Sequence, residues 1–219
     1  GITADNRLVF TPTTEVVFLA VKPQVFSAIA QELADVIATD SKPLIISILA
    51  GVSLSQLEAT FGHLPVIRAM PNTPATIGAG ITAISPGAYT KLSHHETAKQ
   101  LFSAVGEVVE VSESLMDAVT GLSGSGPAYV ALLVEALADG GVAAGLPRAI
   151  ANQLALQTVL GTAKLLHETK LHPAELKDRV TSPGGTTIAG IAQLERAGFR
   201  SALIEAVKAA TARSQELGK

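Results

Sequence analysis

Near the end of the chain, Thr181-Ser182-Pro183-Gly184-Gly185-Thr186-Thr187-Ile188 has the residue types and spacing to hold an anion. Six of its first seven residues are glycines or carry a hydroxyl. Gly184 and Gly185 let the backbone turn into left-handed conformations and approach a ligand without a Cβ in the way. Pro183 fixes its own φ and keeps Ser182 extended, so the preceding helix is expected to stop there. Thr186 or Thr187 suits the N-cap of the apolar run that follows, Ile188, Ile191, Ala192 and Leu194. The expected product is a set of free N–H groups at a helix N-terminus, ringed by hydroxyls, into which a carboxylate fits. The same composition also suits an ordinary turn and cap between two helices.

A second set of residues falls just past three apolar runs. Lys22 follows Val16-Val17-Phe18-Leu19-Ala20-Val21, Ala50-Gly51 follows Leu44-Ile45-Ile46-Ser47-Ile48-Leu49, and Asn72-Thr73 follows Val66-Ile67-Arg68-Ala69-Met70 and Pro71. Short continuous runs rich in β-branched residues read as buried parallel strands. Ligands of open α/β sheets bind outside the carboxyl ends of the strands. A single lysine after a strand is usually a solvated surface group, so the three strand ends together carry the expectation of a cleft. His94 and His95 cannot share a helix face, and no acidic residue or histidine joins them at a useful spacing. They read as polar residues at a helix start. His63, His167 and His172 are equally isolated, and no metal site is expected.

The elements that must position these residues follow from the pattern. Pro23 opens a helix to about Ala38, Ser53 caps a helix from Leu54 to Phe61, and another helix runs from about Ser93 to Val105. Gly80 to Ser85 and Val108 to Val111 read as further strands. Strands alternating with helices imply a doubly wound α/β domain with parallel strands and right-handed crossovers. After about Ser112 the strand pattern stops. Met116 to Ala144 is helical in pattern, with Gly121 to Pro127 expected to kink or break it. Further helices start at Pro147 and Pro173, after the glycine turn, and at Ser201. The expected division is a dinucleotide-binding Rossmann-like domain over 1–113, N-terminally incomplete, and an all-helical substrate-binding and dimerisation domain over 114–219. Ala-, Gly- and Leu-rich helix surfaces suit interlocking between two chains.

The composition agrees. The 219 residues are 47% hydrophobic but only 4% aromatic, and mean hydropathy is +0.39. An apolar excess of this size without an uninterrupted apolar span implies faces buried between subunits rather than a membrane helix. A net charge of −3 with no basic cluster argues against nucleic acid as a partner. The absence of cysteine excludes disulfides and thiolate chemistry. No signal peptide is visible at the start, and a cytoplasmic location is expected.

Four stretches together resemble pyrroline-5-carboxylate reductases. They are Phe18-Leu19-Ala20-Val21-Lys22-Pro23, Met70-Pro71-Asn72-Thr73-Pro74, the run Asp117 to Tyr129 with its Gly121-Leu122-Ser123-Gly124-Ser125-Gly126-Pro127, and Leu176 to Ile188. The first two alone say only NAD(P)-dependent α/β protein, whereas the last two are specific. The resemblance implies reduction of 1-pyrroline-5-carboxylate to L-proline, the last step of proline biosynthesis, with NADPH or NADH. It implies an active site between the nucleotide domain and the helical domain, with helices from the partner contributing. It also implies a homodimer through the helical half, and a possible ring of dimers. Asn6, Ala20, Val21, Lys22, Pro23, Ser47 and Ala50 would line the cofactor, with Asn72 near the nicotinamide. Ser182, Gly184, Gly185, Thr186 and Thr187 would hold the substrate, with Thr187 reaching the ring nitrogen.

One feature of the family is missing from the 219 residues. A strand, a G-x-G-x-x-G turn and a helix, which seat the pyrophosphate, are expected before Gly1. The glycines of Gly121 to Gly126 follow no strand and are not that turn. A polypeptide starting at Gly1 is expected to bind NAD(P)H poorly, and an inactive helical dimerisation fragment is the alternative reading. Another NAD(P)-dependent reductase of small acids is the second alternative, for which Lys164 and Lys177 are the nearest candidate lysines.

Overall fold

The computed structural model describes residues 13–36 and 42–218. The expected cofactor residue Asn6 lies outside them. By packing, the described residues divide into two compact units. One comprises residues up to Pro127 together with Val207 onward, and the other comprises Ala128–Ala206.

The first unit is a five-stranded sheet, β1 (Val16–Leu19), β2 (Leu44–Ser47), β3 (Val66–Met70), β4 (Gly80–Pro86) and β5 (Gly106–Glu110), in spatial order of sequence. The first three strands are parallel, with Leu19 beside Ser47 and Ser47 beside Arg68. Helix α1 (Pro23–Val36) connects β1 to β2, and α2 (Leu54–Phe61) connects β2 to β3. Side chains alternate between faces along a strand. Ile45 therefore packs with Phe26 and Leu33 of α1 and with Leu57 and Phe61 of α2, while Ile46 packs on the other face with Phe102 of α3 (Leu92–Ser103). Both faces are covered, which is why β2 is apolar without alternation. Ile45, Ile46 and Ile67 are fully buried, and truncating any of them to Ala costs about 2–5 kcal/mol.

The α/β class is as expected, but one strand pair departs from an all-parallel sheet. β3 and β4 are antiparallel, with Met70 opposite Ala83. The link between them is a 3₁₀ turn, Thr73–Ile77. A parallel return needs a crossover of a dozen or more residues, and this link is too short for one. β5 then pairs parallel to β4 across α3. The carboxyl ends of β1–β3 and the amino ends of β4 and β5 consequently share one edge of the sheet.

Ser53 caps α2 as expected, its Oγ accepting the Gln56 N–H at 3.2 Å while the Gln56 side chain accepts the Ser53 N–H at 2.9 Å. The expected break at Gly121–Pro127 is instead a change of helical pitch. α4 (Met116–Val119) runs into a π-helical turn, Thr120–Gly124, and then into α5 (Gly126–Ala143). Gly121 is buried, and a Cβ there would stand 2.7 Å from the Val207 carbonyl and 2.9 Å from the Thr211 amide. Only a hydrogen fits that approach.

The second unit is helical, with most of α5, α6 (Arg148–Thr169), α7 (Pro173–Arg179), α8 (Thr186–Arg196) and the start of α9 (Phe199–Leu217). Its buried core is small, with Ala138, Ala151 and Ala155 supported by Val134 and Val142. Leu132, Leu154, Leu156 and Leu160 are more than half exposed. Among the described residues one helical stretch, Glu113–Ala143, is long and apolar enough to cross a membrane by length and composition.

Candidate functional site

The sheet edge gathers the described residues expected to line a cofactor. Ala20, Val21 and Lys22 are exposed between β1 and α1. The Lys22 carbonyl accepts the Val25 N–H at 2.9 Å, which starts α1 with Pro23 in its first turn. Ser47 ends β2 fully buried, and its Oγ lies 3.4 Å from the Leu49 amide. The Ile48 amide donates to the Leu19 carbonyl at 3.1 Å, tying the exit of β2 to the end of β1. Ala50 is half-buried, and Gly51 turns with φ 77°.

Asn72 is held at the same edge. Its Oδ1 accepts the Ile81 N–H at 2.9 Å, and its own carbonyl accepts the Ala75 N–H at 3.1 Å. With the carboxamide oxygen occupied, the amide NH₂ is the end left to donate. An open cleft of about 540 Å³ adjoins this anchor, lined by Gly78 to Ile81, Ser103, Gly106 and Glu107. A small polar sheet edge with an exposed helix start and a fixed carboxamide has the donor set to hold a dinucleotide's ribose and carboxamide groups.

The glycine turn is in the helical unit. Gly184 has φ 67°, a conformation that favours glycine. The N-cap of α8 is Gly185, not Thr186 or Thr187 as the sequence suggested. Gly185 has the extended backbone of an N-cap, with φ −78° and ψ 174°, and a Cβ there would run into the Ser182 hydroxyl. The first backbone bond of α8 is Ala189 N–H to Gly185 carbonyl at 3.3 Å, and no side chain caps the helix. The amides of Thr186, Thr187 and Ile188 therefore precede the first intrahelical bond, next to the Ser182 hydroxyl. A helix start of this kind leaves N–H groups available to an acceptor, one residue earlier than Thr186.

Sequence reasoning missed an ionic cluster in the sheet unit, built on a buried arginine with two partly exposed carboxylates. Arg68 is nearly buried in β3. Its guanidinium is 3.3 Å from Glu113 Oε1 and 4.0 Å from Asp117 Oδ1. Glu113 also accepts the Leu54 N–H at 2.5 Å, and Asp117 accepts the Ser214 hydroxyl at 2.6 Å. The available signal was one arginine in an apolar strand, since a buried charge needs a partner. The partners could not be read locally, because they are 45 or more residues away.

His94 and His95 have structural roles. His94 Nδ1 accepts the Lys91 N–H at 3.0 Å at the start of α3. Burial, with Lys91 and His95 nearby, lowers the His94 pKa from its ordinary value. His95 contacts Thr90 at 3.0 Å and Glu110 at 3.7 Å. The hydrogen bond from Lys99, 2.9 Å away, holds the Glu110 carboxyl below its ordinary value.

Comparison with known proteins places this geometry. A family described as pyrroline-5-carboxylate reductase dimerisation matches residues 113–217. A pyrroline-5-carboxylate reductase of Synechocystis sp. is 65% identical over 94% of this chain and 76% of its own length. Among solved structures, a pyrroline-5-carboxylate reductase from Coxiella burnetii superposes with a TM-score of 0.90 at 39% identity, covering 99% of this chain and 80% of that one. The Plasmodium falciparum pyrroline carboxylate reductase, solved with NADP bound, superposes with a TM-score of 0.91 at 30% identity, covering 100% of this chain and 82% of that one.

Proposed function

The chain belongs to the pyrroline-5-carboxylate reductase family, and from that premise we propose how its residues perform the reaction. The protein reduces 1-pyrroline-5-carboxylate to L-proline with NADPH or NADH, the final step of proline biosynthesis. It is an oxidoreductase acting on a C–N bond, and it works as a homodimer. We assign the nucleotide to a domain over 1–113 and the substrate and dimer contacts to one over 114–219. A ring of dimers and a cytoplasmic location complete the proposal.

Ala20, Val21, Lys22, Pro23 and Ala50 line the cofactor, with the buried Ser47 holding the strand end beneath it and Asn72 donating its amide to the nicotinamide end. Asn6 belongs to the same set by resemblance. When bound, the cofactor supplies the hydride for the imine carbon. The protein orients the substrate and satisfies its charges. The observation that carries the substrate assignment is the uncapped start of α8, where the amides of Thr186, Thr187 and Ile188 precede the first intrahelical bond. A carboxylate seated there gains charge-assisted hydrogen bonds of about 1.5–3 kcal/mol each. Gly184 and Gly185 keep the approach open, and Ser182 and Thr186 add hydroxyl donors.

Thr187 faces the ring nitrogen. A threonine hydroxyl is too weak an acid to protonate an amine-like nitrogen. It orients and polarises the imine, and the proton is already on the iminium or arrives through water. The test is loss of NADPH absorbance with pyrroline-5-carboxylate, run against a panel of ketoacids. Turnover with pyrroline-5-carboxylate alone is expected. Turnover with a ketoacid alone would replace this reading with a reductase of another small acid.

A further inference from the structure

Residues Val207 onward pack with the sheet unit, although the sequence places them at the end of the helical half. The final turn of α9 touches the far end of the loop that leaves β2, at Gly51, and is linked to its Ser47 end through Asp117 and Arg68. At the Ser47 end the link is polar. Ser214, 4% exposed, donates its hydroxyl to Asp117 Oδ1 at 2.6 Å, and Asp117 lies 4.0 Å from the Arg68 guanidinium. Arg68 stands directly beside Ser47 in the β2–β3 register.

At the other end the link is steric. Gly51 has φ 77°, and a Cβ there would lie 3.2 Å from the Leu217 carbonyl carbon and 3.3 Å from the Gly218 amide. A Cβ at Gly218 would stand 2.7 Å from the Gly51 carbonyl oxygen. The close approach of Gly121 to Val207 and Thr211 seats the same helix along its length. Polar groups as buried as Ser214 and Arg68 are costly unless matched in a defined geometry, so their pairing fixes the position of the helix more narrowly than apolar packing would.

We propose that the last turn of α9 braces the Ser47–Gly51 loop and thereby sets affinity for the cofactor, with Ser214 and Gly51 as positioning residues. The inference rests on the assignment of Ala50, and of the strand end that Ser47 holds, to the cofactor. Its test is NADPH binding by the full-length protein, followed by fluorescence titration and independent of turnover. Ser214→Ala is expected to weaken NADPH binding roughly three- to tenfold, the equivalent of one buried hydrogen bond. Ser214→Thr, which keeps the hydroxyl, should restore it. Gly51→Ala should weaken binding as well.

Gly62→Ala is the control for backbone strain. Gly62 has φ 60° in the same unit, but a Cβ there meets nothing within 4 Å. It should lower the melting temperature and leave NADPH binding unchanged. KM for pyrroline-5-carboxylate should not change in the Ser214 variants. The brace is overturned if Ser214→Ala and Gly51→Ala melt earlier but bind NADPH normally, if Gly62→Ala weakens binding as Gly51→Ala does, or if the wild type binds no NADPH. A wild type that binds NADPH yet does not reduce pyrroline-5-carboxylate would sink the assigned reaction and not the brace, which the titrations still decide.

Discussion

At Thr187 two groups of one residue have different work. Its amide belongs to the uncapped start of α8, and its hydroxyl is assigned to the imine nitrogen. Thr187→Ala removes only the second. Turnover should fall about a hundredfold, the usual cost of losing one donor aimed at a reacting centre, while NADPH affinity is unchanged. Steady-state kinetics with a separate binding titration check it, and unchanged turnover removes Thr187 from its role. His94 allows a pH test. Its pKa is lowered in the fold, so the neutral form is the stabilised one. That stability is fully present above the ordinary histidine value, about 6.5, and is lost as pH falls through the lowered value. His94→Gln can accept the Lys91 N–H at any pH. Its melting temperature should fall less than that of the wild type on acidification, and parallel curves would refute the role. The glycine turn itself was legible in the sequence, because Pro183 stops one helix and Gly184 supplies the left-handed turn before the next. The cap was misplaced because Thr186 and Thr187 are strong caps by residue type, whereas Gly185 takes the extended cap conformation with no side-chain bond.

At the scale of elements, β2 and β3 were legible because they are buried on both faces and so carry continuous apolar runs, and β1 has the same composition although Phe18 on one face is exposed. The direction of β4 was not, since alternation along a strand is the same in either direction. The short link from Met70 to Gly80 held the information, for it cannot make a crossover. The helical turn at Gly121 has a similar lesson. Its glycines read as a break, yet the chain keeps its helical course through a π turn because α9 needs the space. Gly121→Ala should destabilise the protein by about 1–3 kcal/mol, since backbone of α9 rather than a flexible side chain must move. Urea unfolding measures this, and a variant as stable as the wild type would show that α9 does not pack there. Arg68→Ala is also expected to destabilise, by about 1–3 kcal/mol, because it empties a buried site in β3 and leaves two partly exposed carboxylates, Glu113 and Asp117, without their cation.

The whole chain has more apolar surface than one copy can bury. Its mean hydropathy of +0.39 announced this in the sequence, and the helical unit shows where the excess lies. The core there is three alanines with two supporting valines, while Leu132, Leu154, Leu156 and Leu160 face outward. Burying one such leucine contributes about 1.5–3 kcal/mol. The stretch Glu113–Ala143 would suit a bilayer by composition, but it falls within residues 113–217, which match the family's dimerisation region. A second copy accounts for the exposure without a membrane. Leu156 and Leu160 lie four residues apart on α6 and so share a face. Replacing both with Glu would place two charges where a partner is expected, at a cost that exceeds what the surrounding contacts return. Light scattering should give the wild type at least twice the mass of the chain and the double variant a single mass, with an earlier melting temperature. A double variant that kept the wild-type mass would move the dimer to another face of the helical unit. A wild type that stayed a monomer in dilute solution, with these leucines facing water, would sink the assignment altogether.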